Sequence, residues 1–396
     1  MAFAAPLLSW LNMQTGGFHF FGESTEGKTT ALQVASSVFG RPEDEQRGHY
    51  IQRWRLTDNA LEQIAKAYSG FLLPLDEIKQ CEPQIVANVV YMLGNNTGKA
   101  RATDTGSGKP VATWRLMFLS TGEKTLADHM ADINKRPDAG AEVRMIAVPS
   151  NAGKGFGLFD CLNGFDGGAE LAAAIKKYTH LYYGSAGREF IDKLVSGIDH
   201  LPNELSTYIS EFKASYLPVG AAGQVSRVAE YFALAARAGE WATEWGLTGW
   251  RNGEAEESAE NCMNAWLNQR GGSGSHEDIA AMKQVQLFFE MYGESKFSWM
   301  NRVDDDHAPN TIERYGFRVK DKAYDDTLYY VLPGMFQKIC AGYQAKKVAR
   351  LLVDRGALIV NSGPHFTKQR EIPGFEKKQR VYVVNSKVFL LADSAQ

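Results

Sequence analysis

GESTEGKTT, residues 22–30, fits the pattern G-x-x-x-x-G-K-[ST] at every position. Gly22 and Gly27 let the backbone turn tightly, so that its N–H groups converge on phosphate oxygens. The Lys28 ammonium would neutralise the β- and γ-phosphates of ATP, and the Thr29 hydroxyl is an oxygen donor of the kind Mg²⁺ takes. Such a loop works only between a strand and a helix. The apolar run 17–21 reads as the strand, and 28–39 reads as the helix, whose positive end completes the cradle. Gly22, Glu23, Ser24, Thr25, Glu26, Gly27, Lys28, Thr29 and Thr30 are therefore the candidate nucleotide-binding residues.

The second half of the site is FLLPLDEI, residues 71–78. An apolar strand ends there in two acids. Asp76 is placed to hold Mg²⁺, mostly through water, and Glu77 to polarise the attacking water as general base. Pro74 removes a ladder hydrogen bond and predicts a local irregularity. One strand–helix unit, 50–56 and 58–68, separates the loop from the acids. That spacing, with a glutamate after the aspartate, favours additional-strand ATPases over kinases and GTPases.

Further strands at 114–119 and 143–148 alternate with helices at 83–93 and 125–134. Five strands interleaved with helices predict an α/β fold around a parallel five-stranded sheet. Residues 1–165 are read as this P-loop core and 166–270, rich in Ala, Leu and Trp, as a helical lid region. The polar Gly/Ser-rich stretch 269–278 is the linker, and 271–396 form a smaller C-terminal module. Within that module a helix at 344–354, a strand at 357–360, a basic loop at 361–380 and a strand at 381–384 make a winged-helix-like pattern.

Several residues outside the loop are candidates. Ser120 and Thr121 end the fourth strand, where a hydroxyl either orients the water or senses the γ-phosphate. Arg144 precedes the fifth strand; it is either a finger reaching a neighbouring subunit's γ-phosphate or a surface ion-pair partner. Arg227, opening an amphipathic helix, is a candidate second sensor or another surface cation. Residues 94–113 are long and polar for a connection, with Lys99, Arg101 and Lys109 on what reads as a hairpin. In a ring it would project into a pore and touch the phosphates of single-stranded DNA; otherwise it is a surface loop.

From residue 342 to 396 there are ten Lys/Arg against four Asp/Glu, a net +6 that leaves −9 for the remainder. This asymmetry points to an anionic partner at the C-terminal end. Lys368, Arg370, Lys377 and Lys378, with Arg380 and interleaved Phe366 and Phe375, are candidates for duplex DNA phosphates, although winged helices also bind proteins. Asp304, Asp305, Asp306 and His307 resemble a metal cluster but read as a solvated loop. Cys81, Cys161, Cys262 and Cys340 are scattered without a CxxC pair, which argues against a zinc site or disulfide framework and fits the cytoplasm. No apolar run reaches the ~18 residues of a membrane helix. Residues 1–13 read as a core helix, because no basic residue precedes their apolar run.

Taken in order, GGFHFFGESTEGKTTALQVASSVFG, LPLDEI, MLGNNTGKARA, WRLMFLSTGEKTLADHM and GAEVRMIAVP resemble one family. It is the uncharacterised-domain family of helicase-like AAA+ ATPases of prophages and mobile genetic elements, related to MCM-like and superfamily-three helicases. The resemblance covers residues 1–270 and continues more weakly beyond. It implies a homo-hexameric ring using ATP and Mg²⁺, with Lys28, Thr29, Asp76 and Glu77 at the nucleotide. Ser120–Thr121 would be its first sensor, Arg144 its finger and 98–113 its pre-sensor hairpin. Larger relatives carry an N-terminal primase-like or DNA-binding region, so a separate primase or initiator protein is an expected partner. The leading expectation is a DNA helicase or translocase serving replication of a phage or mobile element. The alternative is an AAA+ ATPase that remodels or senses proteins, as in anti-phage defence, without unwinding DNA.

Overall fold

The strand before the glycine-rich loop, β1 (Gly16–Phe21), is an interior strand of a five-stranded parallel sheet in a computed structural model of the chain. The structure describes residues 1–43, 49–55, 58–99, 111–135, 139–218, 220–270, 276–302, 313–321, 326–361 and 365–391. They fall into two units, Met1–Gln269 and Arg270–Gln396.

In the first unit β1 leads through the loop into α1 (Lys28–Ser37). Then follow β2 (Gln52–Arg53), α2 (Asp58–Ala67), β3 (Leu72–Asp76), α3 (Pro83–Gly94), β4 (Met117–Gly122), α4 (Leu126–Ala131), α5 (Ala139–Glu142) and β5 (Met145–Pro149). The strand order is β2-β3-β4-β1-β5, so β4 is inserted between the loop-bearing strand and the acid-bearing strand. Alternate side chains enter opposite layers, as a sheet covered on both faces requires. Leu72, Met117, Leu119 and Ile146 join one core, whereas Leu73, Leu75, Phe118 and Met145 join the other. The first core is closed by α7 (Ser185–Ser196), α8 (Leu201–Tyr216), α9 (Gly223–Glu244) and α10 (Glu254–Arg270), together with a 3₁₀ turn at Ala2–Ser9, while α6 (Gly168–Leu181) packs on α1. Residues 1–13 are thus core-forming, with Phe3, Leu7 and Leu8 buried.

Small residues open β1 because its neighbours press close. A Cβ on Gly17 would stand 2.1 Å from the Phe118 carbonyl oxygen, and one on Gly16 would stand 2.6 Å from the Tyr231 ring. Tyr231, on α9, also donates its hydroxyl to the Gln14 carbonyl at 3.0 Å, which ties the helical layer to the start of the strand.

Some boundaries differ from the sequence reading. The expected strand 50–56 pairs only over Gln52 and Arg53, at the sheet edge. That short ladder reaches Leu75 and Asp76 but not Pro74, which therefore sits where one neighbour is absent. The ladder of β4 begins three residues later than expected. Trp114 is instead drawn to the end of α3, its N–H bonding the Asn96 carbonyl and its indole the Leu93 carbonyl, both at 3.0 Å.

The second unit contains α11 (His276–Tyr292), β6 (Phe297–Trp299), β7 (Gly316–Asp321), β8 (Asp326–Val331), α12 (Pro333–Ile339), α13 (Ala345–Asp354), β9 (Lys368–Arg370) and β10 (Gln379–Val384). Its sheet runs β6-β7-β8-β10-β9, parallel at the first pair and antiparallel elsewhere. The expected strand 357–360 is reduced to a bridge between Leu358 and Val384. The basic stretch expected as a loop contains β9, paired with β10. The central part of the expected linker, 271–275, and the acidic run at Asp304, Asp305, Asp306 and His307 lie outside the described residues.

Gly17→Ala is expected to cost about 3 kcal/mol of stability, because the contact is with backbone rather than a flexible side chain. Urea denaturation measures this; a loss below ~0.5 kcal/mol would show that β1 and β4 can separate.

Candidate functional site

Parallel pairing sets the level of every group at the C-terminal edge of the first sheet. Leu75 pairs with Ser120, so Asp76 stands level with Thr121, and Thr121 pairs with Phe20 on β1. With strands ~4.8 Å apart, the acids end about 10 Å from the strand that carries the loop.

The loop wraps its own lysine. Lys28 Nζ donates to the Gly22 carbonyl at 2.9 Å and to the Glu23 carbonyl. Gly27 caps α1 at φ +86°, and Thr25 takes φ +69°. The first N–H groups of α1 have no intrahelical acceptors and suit an anion. Thr29 is exposed there, one residue past Lys28. The Glu26 carboxylate accepts from the Ser150 hydroxyl and, at 3.3 Å, from Asn151, which pins the loop to the end of β5. A Cβ at Gly22 would lie 2.2 Å from both Glu26 Oε2 and Ser150 Oγ, so that position has no room for a side chain.

Thr121 joins the two acids. Its hydroxyl donates to Asp76 Oδ1 at 2.6 Å and accepts from the Glu77 N–H at 3.2 Å. Glu77 takes φ +58°, a conformation disfavoured for a residue with a side chain, and its Oε1 is buried without a hydrogen-bond partner. Thr29 and Asp76 are the hard oxygen donors a magnesium ion takes, so the donor set fits that ion.

Ser120 does different work from its neighbour, because successive strand residues face opposite ways. Its fully buried hydroxyl accepts from Trp54 Nε1 and donates to His19 Nδ1, both at 2.9 Å. His19 Nε2–H donates to the Lys124 carbonyl at 2.8 Å, which fixes the tautomer. Burial holds His19 down at about 4, against its ordinary 6.5, with the charges of His129 and Lys28 acting the same way.

The expected arginines lie elsewhere. The Arg144 carbonyl accepts from Gly17 N at 2.8 Å, at the opening of β1. That is the other end of the strand from the loop, about 13 Å away by strand rise. Its guanidinium donates to the Gly140 carbonyl at 2.9 Å and lies 5.3 Å from the Tyr91 ring centre. Arg227 is exposed one helical turn before Tyr231, and both arginines act electrostatically on that tyrosine. Lys99 is exposed at the foot of the expected hairpin, where Gly98 N bonds the Ala112 carbonyl at 2.8 Å and Thr97 bridges Thr113. The buried Glu62 carboxylate accepts the Lys99 backbone N–H at 3.1 Å and anchors that foot on α2. Arg101 and Lys109 lie outside the described residues. In the second unit, Lys368 and Arg370 are on β9, while Lys377 and Lys378 are in the turn before β10.

An apolar cavity of about 990 Å³ adjoins the loop, lined by Phe18, Phe20, Phe159, Leu171 and Trp250 among others. Phe159 is also the nearest side chain to Gly27, 3.4 Å from where a Cβ would be. Cys262 lines it too, its thiol pushed up to about 11 by burial.

Sequence reading passed over His19, Trp54, Ser150 and Asn151. The signals were present: a single polar residue inside GGFHFF, and a polar pair directly after an apolar strand in AVPSN.

Residues 1–113 match a family described as "Domain of unknown function (DUF927)". That segment includes the loop and the acids and ends just before β4. The comparison with curated proteins gives no match. The solved structure "SCCmec type IV Cch - active helicase" is similar over 99% of this chain and 67% of its own, with a TM-score of 0.69 and 17% identity. At that identity the likeness is one of fold.

Because folding keeps His19 neutral, its contribution is complete above pH 6.5 and is lost as pH falls from there toward about 4. His19→Asn is expected to be less stable at pH 8, yet to lose about 3 kcal/mol less than the parent between pH 6.5 and 4. Chemical denaturation at a series of pH values measures both slopes; identical slopes would refute a neutral His19.

Proposed function

We propose that this chain is an ATP-dependent DNA helicase or translocase, acting as a homo-hexameric ring in the replication of a phage or mobile genetic element. The observation that carries this is the meeting of the Lys28 loop, Asp76, Glu77 and Thr121 at one sheet edge. The strand order and the fold likeness to a helicase structure support it. In this reading 1–165 is the AAA+ P-loop core, 166–270 the lid and 271–396 a winged-helix module.

The loop N–H groups and Lys28 hold the phosphates, while the base and ribose take the apolar cavity beside Gly27. Thr29 and Asp76 hold Mg²⁺, which when bound offsets charge on the transferring phosphoryl group. Thr121 orients the acids: it binds Asp76 by its proton and holds the Glu77 backbone by its lone pair. Glu77, with one oxygen unpartnered, accepts the proton of the attacking water. Ser120 supports this edge from beneath through His19 and Trp54. Arg144, at the far end of the sheet, serves as the finger for the site of the neighbouring subunit, and Arg227 as a second sensor. The hairpin rooted at Lys99 carries its cations, Arg101 and Lys109 included, into the pore to grip single-stranded DNA. A separate primase or initiator supplies loading.

Steady-state ATP turnover should rise several-fold with single-stranded DNA, and Glu77→Gln should lower it by at least ~100-fold while leaving nucleotide binding intact. Turnover indifferent to DNA would sink the helicase reading in favour of protein remodelling. Replacing Lys99 and Lys109 together by alanine should spare basal turnover and cut unwinding in a strand-displacement assay. Undiminished unwinding would remove the hairpin from the pore.

A further inference from the structure

We propose that Phe375 is a base-stacking residue, which the β9–β10 hairpin sets against the end of a DNA duplex where it meets single strand. The inference rests on the DNA reading above. Residues 368–380 carry Lys368, Arg370, Lys377, Lys378 and Arg380 against only Glu371 and Glu376. Their ladder, from Lys368 opposite Val381 to Arg370 opposite Gln379, makes a firm two-stranded arm. Ile372 is buried with Tyr330 and Val381 and anchors the arm at the base of its turn. Gly374 then reverses the chain at φ +80°, and Phe375 N bonds back to the Ile372 carbonyl at 3.2 Å.

This construction leaves the Phe375 ring 46% exposed at the tip. Phe366, the other phenylalanine of the basic stretch, instead packs against the core of α11–α13. A single exposed ring is ordinary on a protein surface, but one set in the turn of a cationic hairpin suits a partner that offers both phosphates and a flat aromatic face. Lys378 is paired with Glu371 at 3.3 Å, while Lys377, in the same turn as the ring, and Arg380, at the start of β10, are exposed. Cations flanking an aromatic ring match phosphates flanking a base. Inside a duplex both faces of each base pair are already stacked. At a junction the terminal pair has one free face, and a rigid tip reaches it without unstacking anything.

The test uses the full chain with a forked DNA carrying 2-aminopurine at the junction and, as comparator, a closed circular duplex without ends. The parent is expected to quench the junction probe and to bind the fork at least about 5-fold more tightly than the circle. Phe375→Ala should abolish the quench and the preference, and Phe375→Trp should restore both. Lys377→Ala with Lys378→Ala should weaken both DNAs alike and lower the salt dependence by about one unit per lysine. The ring is exposed, so thermal melting of the variants should match the parent. A quench that survives in Phe375→Ala, or a parent without quench or preference, overturns the stacking role while the DNA reading stands on the lysine result. Binding to neither DNA overturns both and points to a protein partner for the hairpin.

Discussion

Thr121 holds two acids by one hydroxyl, donating to Asp76 and accepting from Glu77 N–H. That double contact exists only because β4 lies between β1 and β3 and pairs both in parallel register. A slip of one residue along β4 would turn Thr121 toward the opposite layer and bring Ser120 or Gly122 to its place. The close approach of Gly17 to Phe118 and the burial of Leu119 and Phe118 on opposite faces resist such a slip. Packing deep in the sheet therefore sets chemistry at its rim.

The sheet is electrostatically polar along its strands. Its C-terminal edge gathers the lysine loop, the free amides of α1 and the two carboxylates, while Arg144 and Arg227 flank Tyr231 at the opposite edge. Beneath the lysine loop, His19 remains neutral because burial outweighs every favourable contact it makes. A charged imidazole there would repel Lys28 and break the chain of bonds from Trp54 through Ser120 to Lys124. The support for the site is thus made of neutral hydrogen bonds, and the charges are kept for the rim.

The second unit spends its surplus of positive charge differently. Its apolar residues sort to two faces of a mixed sheet, and cations collect on the arm formed by β9 and β10. An edge strand rich in Lys and Arg is protected against pairing with another chain.

The sequence by itself determined the local chemistry. Residues 22–30 and the acids at 76 and 77 are contiguous motifs, flanked by apolar runs whose period names strand and helix, so loop, α1, β3 and the alternating fold were legible there. It left Ser120 and Thr121 as one pair, because adjacency in sequence does not say which face each strand residue takes. Only the tertiary structure decided that Thr121 meets the acids while Ser120 meets His19 and Trp54, residues 101 and 66 positions away. It also decided that Ser150 and Asn151 hold Glu26, that Phe366 is covered while Phe375 is not, and that β9 pairs with β10. These are long-range contacts, fixed by strand order, register and burial, and no local pattern of residues encodes them.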